Sequence, residues 1–170
     1  MADTSHKAAS QTLREIASWQ PGRGSADSDL LPELSTMVAR SRDLSRNHGI
    51  ASGAMQTLTD NIVGTGFRLS AKPDYKLLGK TKDWEEEWQA KVEGLWRSWS
   101  ETFMCDAAQS LNFHGLTTQV FKSCLINGEA LALALWLPER PVATTIRLIE
   151  PDRLSNPNNS TDTKMLRGGV

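Results

Sequence analysis

Between Asp83 and Thr102 the chain reads D-W-E-E-E-W-Q-A-K-V-E-G-L-W-R-S-W-S-E-T, and this stretch limits the fold more than any other. Trp84, Trp88, Val92, Leu95, Trp96 and Trp99 recur at helical spacing, so the helix they form carries one continuous aromatic stripe. Asp83 is placed to cap it, with Glu86 three residues on in a capping-box arrangement. Glu85, Glu86 and Glu87 meet the positive end of the helix dipole, while Lys91 and Arg97 lie further along. A stripe of this area needs a cover, either a core or a subunit contact. The competing use is a stacking platform for nucleic-acid bases. That use calls for a basic rim, and this face is bordered by glutamates.

Three more helices are expected. Leu30–Arg46 has Asp29 as a cap and Pro32 in a tolerated first-turn position. Its stripe is Leu30, Leu34, Val38 and Ser41, joined by Leu31, Met37 and Leu44. Arg40, Arg42 and Arg46 sit in its last turns, where cations complement the negative end of the dipole. After a turn at Asn47-His48-Gly49, Ala51–Ile62 presents a narrow apolar face of Ala51, Met55, Leu58 and Ile62. Ser52, Gly53 and Ala54 begin that helix and leave room for another backbone to approach. Ser110–Asn127 is the last helix, capped by Ser110 and stopped by Gly128. Phe113, Thr117, Val120, Phe121, Cys124 and Leu125 form its buried side.

Period-two alternation marks the strands. Phe67, Leu69 and Ala71 alternate with Arg68 and Ser70. In 129–137 the leucines point one way and Ala130, Ala132, Ala134 and Trp136 the other, an alanine face on which a helix would fit. The short Pro138–Pro141 link makes 144–150 an antiparallel partner. The expected fold class is therefore α+β: four main helices with a small, mostly antiparallel sheet from segments near 66–71, 129–137 and 144–150. Residues 1–28 are rich in Ala, Ser, Gly, Asp and Gln and read as a flexible N-terminal arm, with a short helix at Ala8–Trp19 and a linker at Pro21–Ser25. Residues 29–170 form the domain. Leu166–Val170 looks like the start of a strand, so the chain reads as a piece of something longer.

Little here points to catalysis. The net charge is −1, which gives no global attraction to nucleic acid or an anionic membrane. No apolar run reaches the roughly 20 residues needed to cross a bilayer. Cys105 and Cys124 have no metal spacing. There is no Walker loop, nucleophile elbow or H-E-x-x-H, and Gly64-Thr65-Gly66 precedes a strand rather than a helix. Glu150 and Asp152 flank Pro151 and would hold a metal, or join His114 or His48 in a hydrolytic site, only if the fold gathers them. Acids at a strand end are more often turn and salt-bridge residues. A helix-turn-helix reading would use Arg40, Arg42, Arg46 and Arg68, yet the second helix offers base edges only Gln56 and Asn61. No enzyme is expected, and no catalytic, cofactor-binding or metal residue.

The run Ala39-Arg40-Ser41-Arg42-Asp43-Leu44-Ser45-Arg46-Asn47-His48-Gly49, followed by Asp60-Asn61-Ile62-Val63-Gly64-Thr65-Gly66-Phe67-Arg68-Leu69, resembles the N-terminal region of lambda-family phage portal proteins. Leu95-Trp96 is similar to that family's aromatic helix, Asn127-Gly128-Glu129-Ala130 to its N-G-E segment, and Ile149–Pro157 to its P-x-R-[LI]-S-N-P segment. The resemblance runs from about residue 10 to the end. It implies part of a portal wing domain, ending before the family's stem and clip. It further implies a structural role in a ring, normally of twelve sister subunits, at the head vertex of a tailed phage. Such a ring supports procapsid assembly, DNA packaging and ejection. The implied partners are sister subunits, terminase, capsid or scaffold, head-completion proteins and the double-stranded DNA that passes through, with no membrane. The implied location is the virion, with host cytoplasm during assembly.

Overall fold

In a computed structural model the residues that can be described are 24–156 without a break, together with 14, 15, 18, 19, 22, 160, 161, 163 and 165. The expected strand start at 166–170 lies outside them, as does most of the expected helix at Ala8–Trp19. The chain divides into two units, Met1–Ser35 and Thr36–Val170.

The first unit holds the start of α1 (Ala26–Asn47). The helix begins earlier than its apolar stripe suggested. Ser25 Oγ accepts from the Ser28 amide at 3.2 Å, so a serine supplies the first turn's acceptor and Asp29 lies one turn inside. Pro32 consequently falls within the helix rather than in its first turn.

The second unit holds the remainder. Only His48 separates α1 from α2 (Gly49–Ile62); its extended backbone breaks one helix and starts the next. The covered face of α2 is not the expected one. Thr59 and Val63 are buried, whereas Leu58 and Ile62 are open. Thr59 survives burial because its hydroxyl donates to the Met55 carbonyl at 2.7 Å. Nothing approaches Gly53 closely. Gly64 and Gly66 take positive φ and turn the chain out of α2.

The segment 66–71 does not join the sheet, despite its alternation. Its Ala71 amide donates instead to Glu93 on α3 (Lys82–Ser100) at 3.1 Å. The cap of α3 is Thr81, which accepts from the Trp84 amide, rather than Asp83. The stripe on α3 is covered at one end only. Trp96 and Trp99 gather around Phe113 with ring centroids 5.2–5.4 Å apart, and the Trp99 indole donates to the Thr144 carbonyl at 2.8 Å. Trp88 and Leu95 remain exposed.

Helix α4 (Phe113–Asn127) is capped by Asn112, not Ser110, and ends at Gly128 in the left-handed region as its sequence required. It packs against α2 and α3. Cys124 is exposed on α4, while Cys105, in a 3-10 turn after α3, is fully buried. Strands β1 (Leu131–Trp136) and β2 (Thr144–Ile149) form an antiparallel pair, Leu131 opposite Ile149 and Trp136 opposite Thr144. No helix covers the alanine face: Ala132 and Ala134 are exposed. Among the described residues the fully enclosed apolar side chains are Val63, Cys105 and Leu116. The fold is thus α+β with four helices and two antiparallel strands.

Candidate functional site

The arginines near the end of α1 separate into two kinds. Arg40 and Arg46 are exposed, as is Arg68 beyond α2. None of these three has an ion pair among the described residues. Arg42 lies one helix turn from Arg46 on a half-covered face and does something different. Its two terminal nitrogens donate to the two Asp152 oxygens, each at 2.8 Å, and its Nε donates to Asn127 Oδ1 at 2.7 Å. The planar fork of a guanidinium fits a carboxylate in this two-pronged way, and the third donor fixes its rotation.

The partners come from elements that end where they must. Asn127 is the last residue of α4, presented there because Gly128 stops the helix. Its amide nitrogen donates to Ser123 Oγ at 3.1 Å, and Ser123 Oγ donates to the Glu129 carbonyl at 2.8 Å. Asp152 sits in the 3-10 turn Pro151–Arg153, opened by proline where β2 gives out. The paired hydrogen bonds from Arg42 hold the Asp152 carboxyl below its usual range despite some desolvation. The same bonds raise Arg42, with Glu150 adding a smaller attraction. One clasp therefore joins the end of α1, the end of α4 and the turn after β2.

This placement decides several sequence expectations. Arg42 is a tertiary clasp, not only a charge at a helix end. It is also withdrawn from any nucleic-acid surface made with Arg40, Arg46 and Arg68. Asp152 is a salt-bridge residue, and its oxygens are taken up by a cation. Glu150 lines a groove of about 690 Å³ beside Leu131, Leu133, Ile149 and Arg153. His114 lines another, of about 570 Å³, with Arg68, Glu93, Trp96 and Arg97. His48 stands at the α1–α2 break. The structure does not gather Glu150, Asp152 and either histidine, and no cluster of three metal-ligating side chains occurs among the described residues.

A second polar hub was missed in the sequence. Asp106 is buried, and its carboxylate accepts from the Ala108, Ser110 and Leu111 amides at 3.0–3.1 Å and from the Ser110 hydroxyl at 2.8 Å. Burial alone would push its pKa up; the four donors together outweigh that and leave it lowered. Arg140 donates to the Asp106 and Ala107 carbonyls at 2.9 and 2.7 Å. An Asp followed by Ser four residues on, in a loop, was the available signal, since Asp bonds to amides just ahead of it.

Both hubs hold backbone segments in place, so fold and site define a module whose polar residues serve geometry. Its relatives agree in kind. The family model for phage portal proteins of the lambda family matches residues 12–170, and the chain belongs to that family. It is 36% identical over 160 residues to the portal protein of Escherichia phage N15 and 34% identical over 160 residues to portal protein B of Escherichia phage lambda. Each match covers 92% of this chain and 30% of the relative, so the chain spans about a third of the length of these relatives.

Proposed function

We propose that this chain is a structural, non-enzymatic part of a phage portal ring at the head vertex. Its role there is to contribute wing surface during procapsid assembly, DNA packaging and ejection. One observation carries the reading beyond family membership. The Arg42 clasp draws its three members from three separate segments that give the chain its portal resemblance: Arg42 from 39–49, Asn127 from 127–130, and Asp152 from 149–157. Those residue types are used to fix a corner of the fold, which is what a ring subunit needs and a catalyst does not.

Sister subunits are the expected partners, with terminase, capsid or scaffold and head-completion proteins beyond them. Exposed Leu77, Leu78, Trp88 and Leu95 fit a chain that buries surface against neighbours. The proposal is tested by light scattering and negative-stain electron microscopy of the purified protein. Closed rings of many copies support it; a protein that never exceeds a dimer at high concentration refutes it.

A further inference from the structure

The hairpin β1–β2 has two outer edges, and they differ. The Leu137 amide donates to the Ala143 carbonyl at 2.8 Å, which sets the phase of the ladder. Hydrogen-bonded pairs alternate along an antiparallel ladder. Leu131, Leu133 and Leu135 therefore turn their amides and carbonyls toward β2, while Ala132, Ala134 and Trp136 turn theirs away. The register assigns Thr144, Ile146 and Leu148 to the outer edge of β2. Two contacts agree: the Thr144 carbonyl accepts from the Trp99 indole and the Ile146 carbonyl from the Ala107 amide, at 2.8 and 2.9 Å. The outer edge of β2 is thus closed by α3 and the loop around Asp106.

The outer edge of β1 is open. No described residue bonds to the outward backbone groups of Ala132, Ala134 or Trp136. Exposed strand edges are ordinarily guarded by lysine, proline or an inward charge, and L-A-L-A-L-W has none of these. Trp136 is 72% exposed and Leu133 48%, so the strand is open on its faces as well as along its edge.

We infer that this edge pairs with the same edge of a second copy of the chain, antiparallel about a two-fold axis at Leu133. Charge selects both the partner and the register. No charged side chain lies between Leu131 and Leu137, so two copies meet without like-charge repulsion. With the axis at Leu133, Ala132 lies opposite the partner's Ala134, Leu131 opposite the partner's Leu135, and the bulky Trp136 opposite the partner's Ala130. Moving the axis to Ala134 would set Glu129 against the partner's Glu139. Leucine then faces leucine on one side of a four-stranded sheet, and the indole covers alanine on the other. A contact of one strand pair is smaller than the roughly 1,200–2,000 Å² of a stable complex, so the dimer forms at micromolar concentration and above. A two-fold pair is distinct from a closed ring, and the result bears on this edge alone.

The test is molar mass by light scattering across a dilution series, with Ala134→Pro and Ala134→Lys. The wild type is expected to rise from 18.8 kDa toward twice that mass. Ala134→Pro removes an amide that points away from β2, so the hairpin keeps its ladder while the dimer is lost. Near-ultraviolet circular dichroism of the tryptophans checks that the fold persists. If the proline variant does not fold, Ala134→Lys, which keeps the amide, decides the matter by the same loss. Protection of the Ala132 and Ala134 amides from hydrogen exchange should increase with concentration. A wild type that stays monomeric, association unchanged in the variants, or concentration-independent protection from a segment of the same chain would overturn the inference.

Discussion

Replacing Arg42 with alanine tests whether the clasp holds the fold, and its cost is calculable from the contacts. The ion pair with Asp152 is partly in water: the side chains are 32% and 63% exposed. Exposed pairs contribute about 0.2–1 kcal/mol after screening, and the two-pronged geometry favours the upper part of that range. The Nε bond to Asn127 is half-buried and involves a charged donor, worth roughly 1–1.5 kcal/mol. Together Arg42→Ala should destabilise by about 1.5–2.5 kcal/mol. Urea unfolding followed by tryptophan fluorescence reads this directly, as a midpoint lowered by about 1 M for a slope near 2 kcal/mol/M. A double-mutant cycle with Asp152→Ala should isolate a coupling of roughly 0.5–1 kcal/mol, smaller in high salt. Arg42→Lys should recover the charge but not the fork. The pH dependence has a definite sign. Asp152 is lowered in the folded state, so its contribution is complete above the ordinary carboxylate pKa of about 4 and disappears as pH falls through the folded value. Arg42 stays charged throughout. The coupling should therefore be present at pH 7 and fade below about pH 4. An Arg42→Ala protein within about 0.3 kcal/mol of wild type, or a coupling unchanged in acid, would show the clasp to be incidental.

Asp106→Asn should cost about 2–3 kcal/mol, because an amide group cannot accept from all four donors, and the thermal midpoint should fall by roughly 5–10 °C. That difference should also narrow in acid, since Asp106 too is lowered on folding. Thr145 is fully buried and its hydroxyl has no partner, so Thr145→Val, which keeps the shape, should raise stability by about 1 kcal/mol in the same denaturation assay. Gly66→Ala should destabilise by about 1–2 kcal/mol: φ is +92° there, and the added methyl would lie 3.1 Å from His114 Nδ1. A Gly66→Ala protein as stable as wild type would mean that the turn relaxes without using this backbone conformation.

What the sequence disclosed follows the range of the interactions involved. The α3 helix was legible because its stripe is a local, repeated pattern, and the end of α4 because only a left-handed residue suits the Gly128 position. The caps were misplaced by two residues in both helices. Thr81 and Asp83, like Ser110 and Asn112, are all chemically able to cap, and only the path of the incoming chain selects one. The 66–71 segment shows the limit of alternation. A strand pattern requires a neighbouring ladder, and here Glu93 on α3 claims the Ala71 amide instead. The face of α2 was turned for a similar reason: Thr59 counts as polar by type, yet it satisfies its own hydroxyl within the helix and can be buried.

The Arg42 clasp lay beyond any local rule. Its partners are 85 and 110 positions away, so an arginine near a helix end looked like a dipole charge when read through its neighbours. The family resemblance, however, already contained all three members in separate short motifs. Motifs that are far apart in sequence and meet at one hydrogen-bonded point describe a shape to be kept rather than a reaction to be performed. In a catalytic family such a meeting point would leave a carboxylate or a base exposed to a substrate. Here the guanidinium uses Nε and both terminal nitrogens on protein acceptors, and the carboxylate uses both oxygens on the guanidinium. The same residues that make the chain recognisable as a portal relative are therefore already engaged in holding it together. Its interactions with neighbours must come from other surfaces, chiefly the exposed apolar side chains and the open edge of β1.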